Sequence, residues 1–142
     1  MNYFKYIKDN YKEDGFIYCI KTGLKLNGKE IVKCGRVEMK REESEMDVIE
    51  KLIRRYNTYY TDCEVLYWKR VGNNREAERD LFKKIKEFHY EKEKFIYDKK
   101  IEIAFEQLEE EYPSIENIIG TISIEEQTEL NRVIRLKEKQ II

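Results

Sequence analysis

A small α/β domain, with helices against a short mixed β-sheet of about three strands, is the fold that three features of this sequence predict. Two β-type runs, Gly15-Phe16-Ile17-Tyr18 and Ile31-Val32-Lys33-Cys34-Gly35-Arg36, flank a polar loop carrying Asn27-Gly28. That pair reaches positive φ at little cost and marks a hairpin turn. Apolar residues then recur at helical spacing from Val48 to Tyr56, and a third β-type run over 63–71 leads into a second helical stripe.

Taken in order, residues 1–13 carry Tyr3, Phe4, Tyr6, Ile7 and Tyr11 at a spacing that fits either a short amphipathic helix over the sheet or an extended arm. The hairpin puts Tyr18 and Lys33 on neighbouring strands, and both face the same way if their pleats agree. Glu38 to Glu45 is charged without hydrophobic periodicity and reads as an exposed loop or a frayed helix start. The next helix takes Asp47 as N-cap and turns Val48, Ile49, Leu52, Ile53 and Tyr56 inward, with Lys51 and Arg55 sharing a face beside that stripe. Tyr59 to Asp62 connect it to a strand in which Val65, Leu66, Tyr67, Trp68 and Val71 alternate loosely. Gly72-Asn73-Asn74 stops that strand and caps a helix with the stripe Ala77, Leu81, Phe82, Ile85 and Phe88.

Glu93 to Tyr97 reads as an optional edge strand, and Asp98 caps a helix over 99–111 with Ile101, Ala104 and Leu108 inward. Pro113 closes the domain. Beyond it, Ser123 and Glu126 form a capping box for a tail helix with Ile124, Gln127, Leu130, Val133, Ile134 and Lys137 on one face. That face packs on its own domain or serves a homodimer or protein partner. The expected division is an N-terminal extension over 1–13, a domain over 14–111 and a C-terminal helical tail over 112–142.

The chain of 142 residues has the length of one domain with modest extensions. Its 28 basic and 29 acidic side chains nearly cancel, so a nucleic-acid surface has to be a local patch rather than a global charge. Cys19, Cys34 and Cys63 show no CxxC spacing and there is one histidine, which argues against a Cys/His zinc site and for a reducing compartment. Each cysteine is expected as small apolar filler in a strand. No apolar run approaches the ~18–20 residues of a membrane span, and no signal-peptide apolar region opens the chain; a cytoplasmic protein without a membrane partner is expected.

The order Gly15-Phe16-Ile17-Tyr18, a connection, then Lys33-Cys34-Gly35-Arg36 resembles the paired signature of the GIY-YIG nuclease superfamily. It is most similar to the phage and large-virus branch, in which a lysine often replaces the first residue of the second signature. The downstream order is similar too: a helix ending Arg54-Arg55-Tyr56-Asn57-Thr58, a strand Glu64-Val65-Leu66-Tyr67-Trp68, and a helix carrying Ala77-Glu78 and Leu81. The resemblance implies a small α/β sandwich and an endonuclease that hydrolyses DNA with a single divalent metal, Mg²⁺ or Mn²⁺. By motif position it implies Tyr18 near the attacking water, Lys33 as its signature partner, a phosphate-binding cation in the stretch from Lys51 to Arg55, and Glu78 as the metal ligand. The arginine register of the viral pattern falls on Leu52. Arg55, beside the core stripe and bidentate, is the first choice for that role, with Lys51 the alternative; Arg36, Arg54 and Arg41 are further substrate-binding candidates.

Read as residues, the same positions carry plainer alternatives. Tyr18 is a poor base unless cations lower its ordinary pKa, a part for which Lys33 and Arg36 are placed; otherwise it is one of 11 tyrosines on a β-rich surface. Lys33 is a phosphate-binding point charge or a solvated strand lysine. A lone carboxylate plus waters suits Mg²⁺ at Glu78, while Glu76 lies on a different helix face. Gly35 reads as a close backbone approach or a strand end, and His89 as a helix end or turn. Two other functions stay open: the same fold with an impaired site that binds nucleic acid or a host protein, and a phage-encoded or viral inhibitor. The Lys, Glu, Ile and Tyr bias suits an AT-rich phage, virus or bacterium.

Overall fold

The structure is a computed structural model that describes residues 14–38, 44–60, 63–114 and 124–139. Strands β1 (Gly15–Leu26) and β2 (Lys29–Glu38) form the expected hairpin. Asn27 and Gly28 both adopt positive φ, +51° and +78°, which matches the twist of the flanking strands in a two-residue turn. The polar stretch before them is strand rather than loop. A bulge between Lys21 and Lys25 absorbs the extra residues, and Thr22 Oγ1 donates to the Ile31 carbonyl across it at 2.7 Å. Tyr18 lies opposite Gly35 and Ile20 opposite Lys33, so the pleats agree and Tyr18 and Lys33 share a face.

Helix α1 (Glu45–Asn57) begins earlier than expected. Ser44, not Asp47, is its N-cap: Asp47 N–H donates to Ser44 Oγ at 3.1 Å and Ser44 N–H to Asp47 Oδ2 at 3.2 Å. The first turn is polar and offers no hydrophobic period to read, which is why the start looked later. Val48, Leu52 and Tyr56 form its buried stripe, while Ile49 is half-buried and Ile53 exposed.

Strand β3 (Glu64–Val71) follows, then α2 (Asn74–Lys84), capped by Asn73, whose side chain accepts from Glu76 N–H at 3.3 Å. Asn73→Ala should cost about 1 kcal/mol of stability, measurable as a lower urea midpoint with an unchanged slope. A single 3₁₀ turn over Lys86–Phe88 leads into β4 (His89–Glu91), β5 (Lys94–Ile96) and α3 (Lys99–Glu111), the last capped by Asp98. In the tail, α4 (Ile124–Lys139) forms, with Ile124 exposed. Ser123 and the side chains of Gln127, Leu130, Val133, Ile134 and Lys137 lie outside the described residues, as do Arg41 and the extension over 1–13.

The sheet has five strands in the order β3-β1-β2-β5-β4, and every pair is antiparallel. Both points correct the expected mixed sheet of about three strands. The α1 crossover does make β2 and β3 run the same way, but β1 sits between them, so no parallel pair forms. The optional edge strand is the second half of a hairpin whose strands have three residues each, too few for a period of two to register. His89 caps the end of the 3₁₀ turn and opens β4, one of the two places expected for it, with its ring bonded to the Lys92 carbonyl at 2.7 Å.

One face of the sheet packs Ile17, Cys19, Val32, Cys34 and Val71 against Ala77, Leu81 and Ile85 and against Ile101, Phe105 and Leu108 of α3. The other packs Tyr18 and Ile20 against Leu52 and Tyr56 of α1. Cys19 and Cys34 are free thiols buried as core filler. Among the described residues no helix is long and apolar enough to cross a membrane.

Candidate active site

A cleft forms where β5 stops covering β2. Strand β5 pairs only with Ile31 to Lys33; the last contact is Cys34 N–H donating to the Glu93 carbonyl at 3.0 Å, and among the described residues no strand pairs with the edge of β2 from there to Glu38. Side chains from both faces of the sheet meet at this edge. The cleft encloses about 530 Å³ and is lined by Tyr18, Arg36, Val37, Glu38, Arg55, Tyr56, Glu78 and Glu93.

Tyr18 reaches it because Gly35 has no side chain. A Cβ on Gly35 would stand 2.6 Å from Tyr18 Oη and 2.8 Å from Cζ, so the ring lies directly across β2. The backbone approach read for Gly35 is thus a contact with the phenol end of Tyr18. There the Tyr18 hydroxyl meets that of Tyr56 at 2.7 Å. Lys33, two residues before Gly35 on the same face, holds its Nζ 5.0 Å from the Tyr56 ring centre and pairs with Glu93 at 3.3 Å. The Arg55 guanidinium lies over the same ring at 5.4 Å. Among the described residues, Arg55 is the cleft cation without a carboxylate partner.

Glu78 approaches from the opposite face. Its carboxylate lies beside the backbone N–H of Arg36, and Arg36 Nε is 3.9 Å away. Arg36 Nη1 donates to Asn74 Oδ1 at 2.8 Å and to Glu38 Oε1 at 3.3 Å, and Arg75 also pairs with Glu38. Asn74 is fully buried, so Arg36 is held by a fixed acceptor rather than reaching freely into solvent.

The electrostatics correct one expectation. Burial, and then the hydrogen bond with Tyr56, push the Tyr18 hydroxyl far above its ordinary range, and the opposing pull of Arg55 does not bring it back. Tyr18 therefore keeps its proton at neutral pH. Burial alone would lower Lys33, but its contacts with Tyr56 and Glu93 outweigh this and raise it, so the ammonium stays charged. Burial, then the negative charge of Glu93, raises the Glu78 carboxyl against the opposing pull of Arg36.

The structure therefore brings together Tyr18, Lys33, Arg36, Arg55 and Glu78. It sets Lys51 and Arg54 apart, in a shallow depression on the outer face of α1 with Asp47 and Glu50. At a spacing of four residues these make acid–base neighbours on a solvated helix face. Leu52, in the arginine register, is buried under the sheet. Tyr56 and Glu93 were not foreseen as site residues. Tyr56 carried a signal, because a tyrosine at a buried helix position needs a partner for its hydroxyl; Glu93, one charge in a charged turn, carried none. The chain matches no protein-family pattern, no curated protein and no solved structure at a significant level.

Proposed function

We propose that the chain is a metal-dependent DNA endonuclease of GIY-YIG type, hydrolysing phosphodiester bonds at this cleft. The observation that carries the reading is the convergence of Tyr18, Arg55 and Glu78, from three elements and both faces of the sheet, on one open edge. Hydrolysis joins a water oxygen to phosphorus, breaks a P–O ester bond and leaves a phosphate monoester and a protonated alcohol. Arg55 binds the non-bridging phosphate oxygens with its fork. Tyr18, protonated and bonded to Tyr56, orients the water rather than ionising to deprotonate it. Lys33 steadies the Tyr56 ring and so the direction of the pair. Arg36 holds Glu78.

A divalent cation suits Glu78. Its carboxylate is half-buried and faces the charge of Glu93, an excess of negative charge that a cation relieves. Mg²⁺ keeps most of its waters and needs few protein ligands, so a single carboxylate suits it. When bound, the ion supplies charge neutralisation at the phosphoryl group and a more acidic water.

The test is incubation with supercoiled plasmid in Mg²⁺ or Mn²⁺. Metal-dependent nicking is expected, with Tyr18→Phe slower by about a hundred-fold. Absence of nicking, or nicking that both Tyr18→Phe and Glu78→Gln retain, would overturn the reading. Leu52 at the arginine position favours one second reading, a module that binds nucleic acid without cutting it; DNA binding without nicking is its outcome in the same assay.

A further inference from the structure

In and beside the cleft, three cations face three carboxylates: Lys33, Arg36 and Arg55 against Glu38, Glu78 and Glu93. The metal-free cleft therefore offers a phosphate no net positive charge. Arg36 is held between Glu38 and Glu78, and Lys33 is held by Glu93. Glu93 is the carboxylate best placed to set this balance. Its backbone is anchored by the bond from Cys34 N–H, its turn is shaped by Lys92 at φ +49°, and His89 ties that turn back through the Lys92 carbonyl. Its backbone is thereby held beside Lys33, and its half-exposed carboxylate lies 3.3 Å from the Lys33 Nζ.

We infer that Glu93 is a gate on substrate entry: by neutralising Lys33 it makes binding of a DNA phosphate conditional on a divalent cation in the cleft. The inference rests on the nuclease reading and deepens it, moving the metal requirement from turnover to binding. Glu93 touches no reacting atom; it acts through Lys33 as a positioning residue.

Binding of a fluorescein-labelled DNA duplex, followed by anisotropy at constant ionic strength, tests it without cleavage. The wild-type protein should bind weakly in EDTA and more tightly in Ca²⁺. Glu93→Gln frees Lys33 for one phosphate, so binding in EDTA should tighten about eight-fold near 0.1 M salt, and the slope of log K against log salt should steepen by about 0.9. Glu106→Gln, an exposed change of equal net charge, should do neither. Adding Lys33→Met to Glu93→Gln should erase the gain. If Ca²⁺ tightens the wild type but Glu93→Gln behaves like Glu106→Gln in EDTA, the gate is overturned and the nuclease reading stands. If no protein binds the duplex in either condition, both fall.

Discussion

Glu78→Gln is expected to abolish metal-dependent nicking, by at least about a hundred-fold, and at the same time to raise the melting midpoint at neutral pH. The two effects share a cause. Burial and the charge of Glu93 hold the Glu78 carboxyl above the usual carboxylate range. A carboxyl raised on folding contributes stability that is complete below its unfolded pKa and lost as pH rises through its folded value. At neutral pH the ionised group therefore strains the fold, and the neutral amide does not. Melting curves across pH check this: the advantage of Glu78→Gln should be present at pH 7 and absent below the ordinary carboxylate range. Nicking by the wild type should fall on the acid side at a pH above that range, because cation binding needs the carboxylate. A variant that nicks normally would remove Glu78 from the site. One that is inactive and also less stable at pH 7 would assign it to structure.

Gly35→Ala is the second large effect. In an ordinary strand position this change helps by roughly 0.5–1 kcal/mol, because alanine loses less backbone freedom on folding. Here the new methyl lands 2.6 Å from Tyr18 Oη and 2.8 Å from Cζ, and the ring cannot give without breaking its bond to Tyr56. A net loss of about 1–3 kcal/mol is expected in urea unfolding, with nicking down about a hundred-fold because Tyr18 is displaced. Adding Tyr18→Phe removes the nearer contact, so the double variant should be less destabilised than the sum of the singles. Additive costs, or full activity in Gly35→Ala, would mean that β2 does not set the position of Tyr18.

The parts of the fold that sequence made legible are those with local chemistry. Asn27-Gly28, Asn73 and Asp98 each satisfy a backbone demand within a few residues, and each sits where its chemistry requires. Strand direction was not legible, since it depends on β1 lying between β2 and β3, a matter of packing rather than pattern. Of the two three-residue strands, β5 was read as an optional edge strand over 93–97, but β4 was too short to show a period, and with it went the hairpin that positions Glu93. Within the site, Tyr18, Gly35 and Glu78 were legible through their order along the chain. The choice among Lys51, Arg54 and Arg55 was not, because one residue of helix rotation separates a cation over Tyr56 from one beside acids on the outer face.

The edge of β2, open among the described residues, also bears on how copies of this protein keep apart. Past Cys34 the N–H groups of Arg36 and Glu38 point outward from the sheet, since Cys34 itself donates to Glu93 and alternate residues face the same way. An uncovered run of such donors is a template on which another chain can add a strand. The Glu78 carboxylate lies beside the first of them, and the charges of Arg36 and Glu38 flank it. The side chain proposed to hold the metal thus also blunts a sticky edge. Glutamine keeps an acceptor for that N–H and alanine does not, so removing the whole side chain would invite self-association as well as inactivity.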